Sequence, residues 1–229
     1  IIAALVGASS IMNIIFYFIT LKKIGNDKND EDVIKYGRYL TFVGLTTTIF
    51  INVDKLLITY FLGFKELAIY SIAMILPRQL KLLAKSSVSI IFPGLAALGK
   101  EQAHNVLRKR LKHLIIVSIV ISIIGALLTP YVIRLIYGQQ YEEAIPYAQL
   151  IFAFIWFVIP TVPISEGLLP AQKRGKKMLK LNIYTYLIYF ALLLILVPMY
   201  GLMGAVISYI LDRLFIFVYL TRSLKNTKD

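Results

Sequence analysis

The sequence predicts an all-α fold, a polytopic bundle of seven transmembrane helices, from three observations. Of the 229 residues, 59% are apolar and only 16% are charged, whereas soluble domains are about 45–50% apolar. The apolar residues fall in runs of about 20 residues or more, the length that crosses a bilayer. Basic residues are concentrated in alternate loops between these runs. A soluble enzyme, a secreted disulfide-rich domain and a disordered tail are therefore excluded, and the lack of Cys also excludes thiolate metal sites.

Each predicted span is delimited by a loop that is polar or contains a turn-forming glycine. Long basic loops follow the first, third and fifth spans. Short loops with Gly and Glu follow the second and fourth, and the sequence PMYG separates the sixth from the seventh. The predicted spans, in order, are Ile1–Leu21, Gly37–Leu62, Leu67–Leu98, Leu114–Tyr137, Ala144–Ala171, Leu179–Pro198 and Leu202–Leu220.

The distribution of charge predicts the orientation of the chain. The loops on one side of the membrane, together with the C-terminal tail, hold 17 Lys and Arg residues, whereas the opposite loops hold only Lys65. Because basic loops remain in the cytoplasm, the C-terminus is predicted to be cytoplasmic and the first span to begin outside. Topology thus explains the net charge of +13, and no nucleic-acid partner is predicted.

One of the basic loops is predicted to be helical. Residues Glu101–Lys112 (EQAHNVLRKRLK) have the pattern of a short basic amphipathic helix. We expect this helix to lie on the inner leaflet, where anionic headgroups attract cations. Membrane lipids are therefore predicted partners of the chain.

Three cations in the third span, Arg78, Lys81 and Lys85, are the clearest functional signal, and we call them the cationic stripe. A charge at the bilayer centre costs about 2.5–3.5 kcal/mol even on the lenient insertion scale, so such side chains normally face a bundle interior or a wet cavity. We therefore predict that the cationic stripe lines a cavity for an anionic substrate. Snorkelling to the cytoplasmic interface is the alternative for Lys85 alone. The three cations share one face of the predicted helix with three other residues, Ser71, Met74 and Ser89.

Acidic residues inside the spans are candidates for ion coupling. Asp54 lies in the second span, Glu166 near the inner end of the fifth, and Asp212 in the seventh beside Arg213. Asp54 could pair with Arg78 as a structural contact, or it could carry a proton or bind a coupling cation. Asp212 and Arg213 could neutralise each other, and Glu166 could be interfacial. For all three acids the structural and the coupling interpretations stay open.

Prolines inside two spans predict bent helices. Pro77 lies in the third span, and Pro160 and Pro163 lie in the fifth. An internal proline removes a backbone hydrogen bond and bends a helix. Such bends suit a transporter whose helices pivot, and static packing is the alternative.

No sequence motif indicates an enzyme. The chain has no phosphate-binding loop, no nucleophile elbow and no zinc-protease motif. Its two histidines, His104 and His113, have no partners at the spacing of metal ligands. The sequence therefore predicts neither catalysis nor a cofactor or metal.

Three stretches of the sequence resemble a known transporter family. They are NVDKLLITYFLGFKELAIYSIAMILPRQL from Asn52, YVIRLIYGQQYEEAIPYAQLI from Tyr131 and LLPAQKRGKK from Leu168. Their order and spacing resemble the polysaccharide and O-antigen flippases of the multidrug/oligosaccharidyl-lipid/polysaccharide exporter superfamily. The resemblance covers essentially the whole chain, as the last seven of twelve or more helices. It implies that residues 1–21 end an N-terminal lobe and that residues 22–229 form the six-helix C-terminal lobe.

The resemblance also implies a function. Members of the family move an undecaprenyl-pyrophosphate-linked oligosaccharide from the inner to the outer leaflet of the bacterial plasma membrane by alternating access. Asp54 and Lys55 match the family's Asp-Lys pair, and substrate binding is expected from Lys55, Arg78, Lys81 and Lys85. The implied partners are the N-terminal lobe of the same chain and the polysaccharide assembly machinery. The alternatives are a multidrug exporter of the same superfamily, whose cationic cargo favours an acidic lumen, and a membrane-embedded polymerase, which needs larger outer loops.

Overall fold

The computed structural model describes residues 12, 15–19, 41, 52–97, 100–168 and 175–225. The chain divides into two compact units, Ile1–Phe42 and Val43–Asp229. In the first unit, the described residues are helical. In the second unit, every regular element in the described ranges is a helix, which confirms the predicted all-α class.

The first two described helices of the second unit are joined by a single glycine. Helix α1 spans Val53–Leu62 and helix α2 spans Phe64–Ala97. Gly63 between them has a φ of 101°, a left-handed conformation that glycine adopts without steric cost. Its N–H donates to the carbonyl oxygens of Ile58 and Thr59 at 3.2 and 3.1 Å. The predicted outer loop is thus reduced to one residue, and α2 begins three residues earlier than the sequence predicts.

Helix α3 spans Lys100–Tyr137 and has 38 residues, a length of about 57 Å at 1.5 Å per residue. It therefore includes both the predicted basic helix and the fourth predicted span. The expectation of a separate helix on the membrane surface is wrong, because no Gly or Pro from Glu101 to Leu114 ends the helix before the span. The helix ends at Gly138, whose φ is 81°.

The fifth predicted span is an interrupted helix. A 3₁₀ turn, Gln139–Ala144, leads into helix α4, Ile145–Phe154. Two further 3₁₀ turns and the π-helix Pro163–Leu168 follow, and the axis bends by 40° between Gln139–Phe157 and Ile159–Glu166. The predicted bend at Pro160 and Pro163 is thus present, whereas α2 remains helical through Pro77.

Helix α5, Gly175–Lys225, contains the sixth and seventh predicted spans. Its backbone leaves helical geometry at Gly201, with φ 60° and ψ −139°. A β-carbon built on Gly204 would overlap the carbonyl oxygen of Leu196, eight residues earlier. In a straight helix these residues would be about 12 Å apart, so the chain doubles back at Gly201, where the sequence predicts a loop.

Three of the described helices are long and apolar enough to cross a membrane, or four if the bent segment is one span. The protein is therefore a multi-pass membrane protein. Most of the first predicted span and about half of the second lie outside the described residues, so the number seven stays a prediction.

The main core lies where α1, α2, α4 and α5 meet. Its buried side chains include Ile58, Met74, Ala148, Leu193 and Val206. Helix α3 buries one face and leaves the opposite face exposed and apolar, as expected for contact with lipid tails. That outward face includes Ile116, Val120, Ile123 and Leu127.

Candidate functional site

Seven charged side chains from four elements of the second unit lie together, and we call this group the charged seam. Helix α1 contributes one acid, α2 the cationic stripe, the π-helix one acid, and α5 an acid and a cation. The members of the charged seam are Asp54, Arg78, Lys81, Lys85, Glu166, Asp212 and Arg213.

One end of the charged seam is a buried carboxylate with three donors. Asp54 Oδ2 accepts hydrogen bonds from Tyr70 Oη at 2.8 Å and from Arg78 Nη2 at 3.3 Å. Its Oδ1 accepts a hydrogen bond from the backbone N–H of Lys55 at 2.8 Å. The structure therefore brings Asp54 and Arg78 into direct contact across two helices. The Lys55 side chain, one residue further along α1, is half-buried and forms no ion pair with the described residues.

Two tyrosines of α5, which sequence reasoning missed, border this end. Tyr189 is buried beside Tyr70 and Asp54, and its hydroxyl has no hydrogen-bond partner of ordinary geometry among the described residues. The ring of Tyr209 lies 5.2 Å from Cζ of Arg213, within range of a cation–π interaction. The chain has 15 tyrosines, and helical periodicity alone does not distinguish these two from tyrosines of the core or interface.

The middle of the charged seam has more cations than acids. Asp212 Oδ2 and Arg213 Nη2 are 3.3 Å apart, so the mutual neutralisation considered from the sequence is present. Lys81 interacts electrostatically with Arg213, Lys85, Glu166 and Asp212, but it forms no ion pair within 4 Å in the described part of the chain. Asp212 Oδ1 and Arg213 Nε are buried and lack a hydrogen-bond partner among these residues.

The other end of the charged seam is more exposed. Lys85 Nζ and Glu166 Oε2 are 3.3 Å apart, and both side chains reach solvent-accessible space. Glu166 lies in the π-helix that follows the bend at the two prolines. Lys85, for which snorkelling was the alternative, thus has an acidic partner from a different element.

The charged seam as a whole carries an excess of one positive charge, because four cations accompany three acids. Cations that are already paired are less available to a ligand than free ones. Arg78 is paired with Asp54, which is the structural alternative that the sequence left open. Lys85 is paired with Glu166, a contact that sequence spacing does not show because the acid lies on another element. Lys81 and Arg213 together have one carboxylate as their close partner in the described residues, which leaves capacity for an anion.

Two further ion pairs lie outside the charged seam. Arg134 at the end of α3 bonds Glu142 at 2.8 Å, and Lys65 near the start of α2 bonds Glu143 at 3.2 Å. All four side chains are exposed. Within the described ranges no group of three or more acids or histidines could hold a metal ion.

The chain matches the family described as "Polysaccharide biosynthesis protein" over residues 1–146. A protein of Shigella flexneri named "Putative O-antigen transporter" is 25% identical over 195 residues. That alignment covers 82% of this chain and 46% of the relative, so the chain spans about half the length of the curated relative it matches. No solved structure gives a significant match.

Proposed function

Because the chain belongs to the polysaccharide biosynthesis protein family, we propose that it is part of a transporter that exports a lipid-linked oligosaccharide. The substrate carries a diphosphate between its polyprenyl tail and its sugars, and the transporter moves it from the inner to the outer leaflet of a bacterial plasma membrane. Residues 22–229 form the C-terminal lobe of this transporter, and residues 1–21 end the preceding lobe. The relative named as an O-antigen transporter supports this proposal.

The observation that supports an anionic substrate is the positive excess of the charged seam. A diphosphate cannot cross hydrocarbon unsolvated, whereas its polyprenyl tail can remain in the lipid. Guanidinium and ammonium groups form strong charge-assisted hydrogen bonds to phosphate oxygens. Lys81 and Arg213 supply such donors: among the described residues Lys81 has no carboxylate within 4 Å, and Arg213 pairs with Asp212. A cationic drug is a poorer cargo for the same reason, since like charges repel.

The ion pairs at the two ends of the charged seam act as resting partners in this proposal. Asp54 pairs with Arg78, and Glu166 pairs with Lys85. A diphosphate that enters the charged seam competes with these carboxylates for the cations. The carboxylates that are released can then take up a proton or a cation, which makes Asp54, Glu166 and Asp212 the candidates for coupling.

Alternating access requires two conformations that expose the same site to opposite sides. The bent segment that ends in the π-helix carries Glu166 to the charged seam. Proline leaves backbone hydrogen bonds unmade at this bend, so the segment is the most suitable pivot among the described elements. Its movement would make or break the Lys85–Glu166 pair.

Lys81 offers the sharpest test of the proposal, because its removal leaves no ion-paired acid without a partner. Arg78→Ala would also remove transport, but it would leave the buried Asp54 unpaired. We expect Lys81→Gln to lower the flipping rate at least tenfold and Lys81→Arg to retain most of it. The measurement uses the full-length protein in vesicles and follows the appearance of the glycan on the opposite leaflet with an added lectin.

The control variant is Lys65→Gln, which removes an exposed cation outside the charged seam. It should flip the glycolipid at the wild-type rate. An unchanged rate in Lys81→Gln would overturn the assignment of the charged seam to the substrate. Wild-type vesicles that flip no faster than protein-free vesicles would overturn the transport function itself.

A further inference from the structure

The third and fourth turns of helix α3 carry an exposed basic cluster that the proposed transport cycle does not use. Five neighbouring residues, Arg108, Lys109, Arg110, Lys112 and His113, are all exposed, and we call them the basic turns. None of them forms an ion pair with another described residue. Because these side chains are exposed, a ligand at the surface of the chain can reach them.

Two leucines fix the orientation of the basic turns. Leu107 is buried and Leu111 is half-buried, one turn apart on the same face of α3. They pack against Ile164 of the π-helix and against Leu181 and Leu220 of α5. Because this face is held by the bundle, the intervening cations must point away from it.

The outward face of the basic turns continues directly into the lipid-facing face of α3. Lys112 and Ile116 are four residues apart, and so are Ile116 and Val120, which places all three on one side of the helix. Ile116 and Val120 are exposed and apolar. Ammonium groups on the turn that precedes an apolar face of this kind lie about 6 Å from the hydrocarbon along the helix axis, which is the level of lipid headgroups.

The opposite end of α3 lacks this feature. Arg134 is 21 residues beyond His113, about 32 Å along the helix and close to the thickness of the hydrocarbon core. It is already paired with Glu142 at 2.8 Å. The two ends of the same lipid-facing helix therefore differ: one end has five exposed basic residues with no ion pair to the described part of the chain, and the other has a neutralised cation.

We propose that the basic turns of α3 are a binding site for the headgroups of anionic phospholipids. Clustered Lys and Arg next to a membrane span attract anionic headgroups with about 1 kcal/mol for each charge near the surface. That energy corresponds to about a fivefold change in affinity for each residue. The site does not depend on the transport function, since it lies outside the charged seam.

The test compares lipids added to the purified full-length protein in detergent. We expect phosphatidylglycerol to raise the thermal unfolding midpoint, and phosphatidylcholine at the same concentration to raise it much less. The variant R108Q/K109Q/R110Q/K112Q should bind phosphatidylglycerol about a hundredfold more weakly or worse. The charge-preserving variant R108K/K109R/R110K/K112R should keep the wild-type affinity.

Two further measurements test the binding site if the quadruple Gln variant fails to insert into the membrane. The single variant Lys112→Gln should lose about fivefold in affinity, and 500 mM salt should weaken phosphatidylglycerol binding by the wild type because exposed charges are screened. Equal stabilisation by both lipids would overturn the proposal. So would a soluble polyanion such as polyglutamate that stabilises the protein as well as phosphatidylglycerol does, because the surface would then recognise an acidic protein.

Discussion

Two ion pairs of helix α2, Arg78–Asp54 and Lys85–Glu166, have the same separation but differ in the burial of the acid. Arg78 and Lys85 are seven residues apart and therefore lie on the same face of α2. Each has a nitrogen 3.3 Å from a carboxylate oxygen of another element. The Asp54 side chain is 5% exposed, however, whereas Glu166 is 32% and Lys85 57% exposed. The distance between the charges is thus a poor guide to what each pair contributes.

The difference arises from how many donors replace water around each carboxylate. Asp54 accepts hydrogen bonds from a tyrosine, an arginine and a backbone N–H. Glu166 has Lys85 as its ion-pair partner and remains partly accessible. A buried carboxylate depends on every donor it has, since lost bonds are not replaced by water. An accessible carboxylate is resolvated at little cost.

Asp54→Ala is expected to have the largest effect on stability. It leaves the buried Tyr70 hydroxyl and the Lys55 N–H without their acceptor and the Arg78 guanidinium, which is 37% exposed, without its acid. Together these losses cost about 3 kcal/mol. The free energy of unfolding in detergent, measured with a denaturant series, reports the loss. The double variant Asp54→Ala with Arg78→Met removes the orphaned charge, so it should recover part of the stability. A single variant as stable as the wild type would contradict the structural role of the buried pair.

Tyr70→Phe is expected to have an intermediate effect. It removes one donor from a charged, buried acceptor but leaves Arg78 and the backbone N–H in place, a loss of about 2 kcal/mol. The same denaturant series measures it, with Tyr60→Phe as the matched control because Tyr60 is exposed. If both variants lose the same stability, the bond to Asp54 contributes nothing beyond an ordinary tyrosine hydroxyl.

Helical periodicity was enough to place these two pairs on one face, but not to identify both partners. The sequence predicted the face formed by Arg78, Lys81 and Lys85, and it named Asp54 as a partner for Arg78. It did not assign Glu166 to Lys85, because that contact depends on a bend and a π-helix whose course two prolines only suggest. Contacts between helices that are far apart in sequence depend on how the helices pack, and no local pattern in the sequence reports that packing.

The boundaries of the helices show the same division between local and non-local information. Gly63, Gly138 and Gly201 end or interrupt helices where the sequence predicts loops, because each adopts a positive φ that glycine tolerates. The separate basic helix was predicted wrongly. Amphipathic periodicity identifies the polar and apolar faces of a helix, but it does not show whether that helix continues into the next span. Tyr189 and Tyr209 border the charged seam only because α2 packs against the two halves of α5, and no motif identifies them.

Glu166→Gln is expected to have the smallest effect on stability, below about 1 kcal/mol, because both partners of the Lys85–Glu166 pair reach water. The denaturant series should show a free energy of unfolding close to that of the wild type, and 500 mM salt should remove most of the remaining difference by screening. Lys85→Gln serves as the reciprocal control, since removing either partner of a weak, exposed ion pair should cost equally little stability. A loss from Glu166→Gln as large as that from Asp54→Ala would mean that the bent segment depends on this contact, and the exposure of the acid would then not explain the difference between the Arg78 and Lys85 pairs.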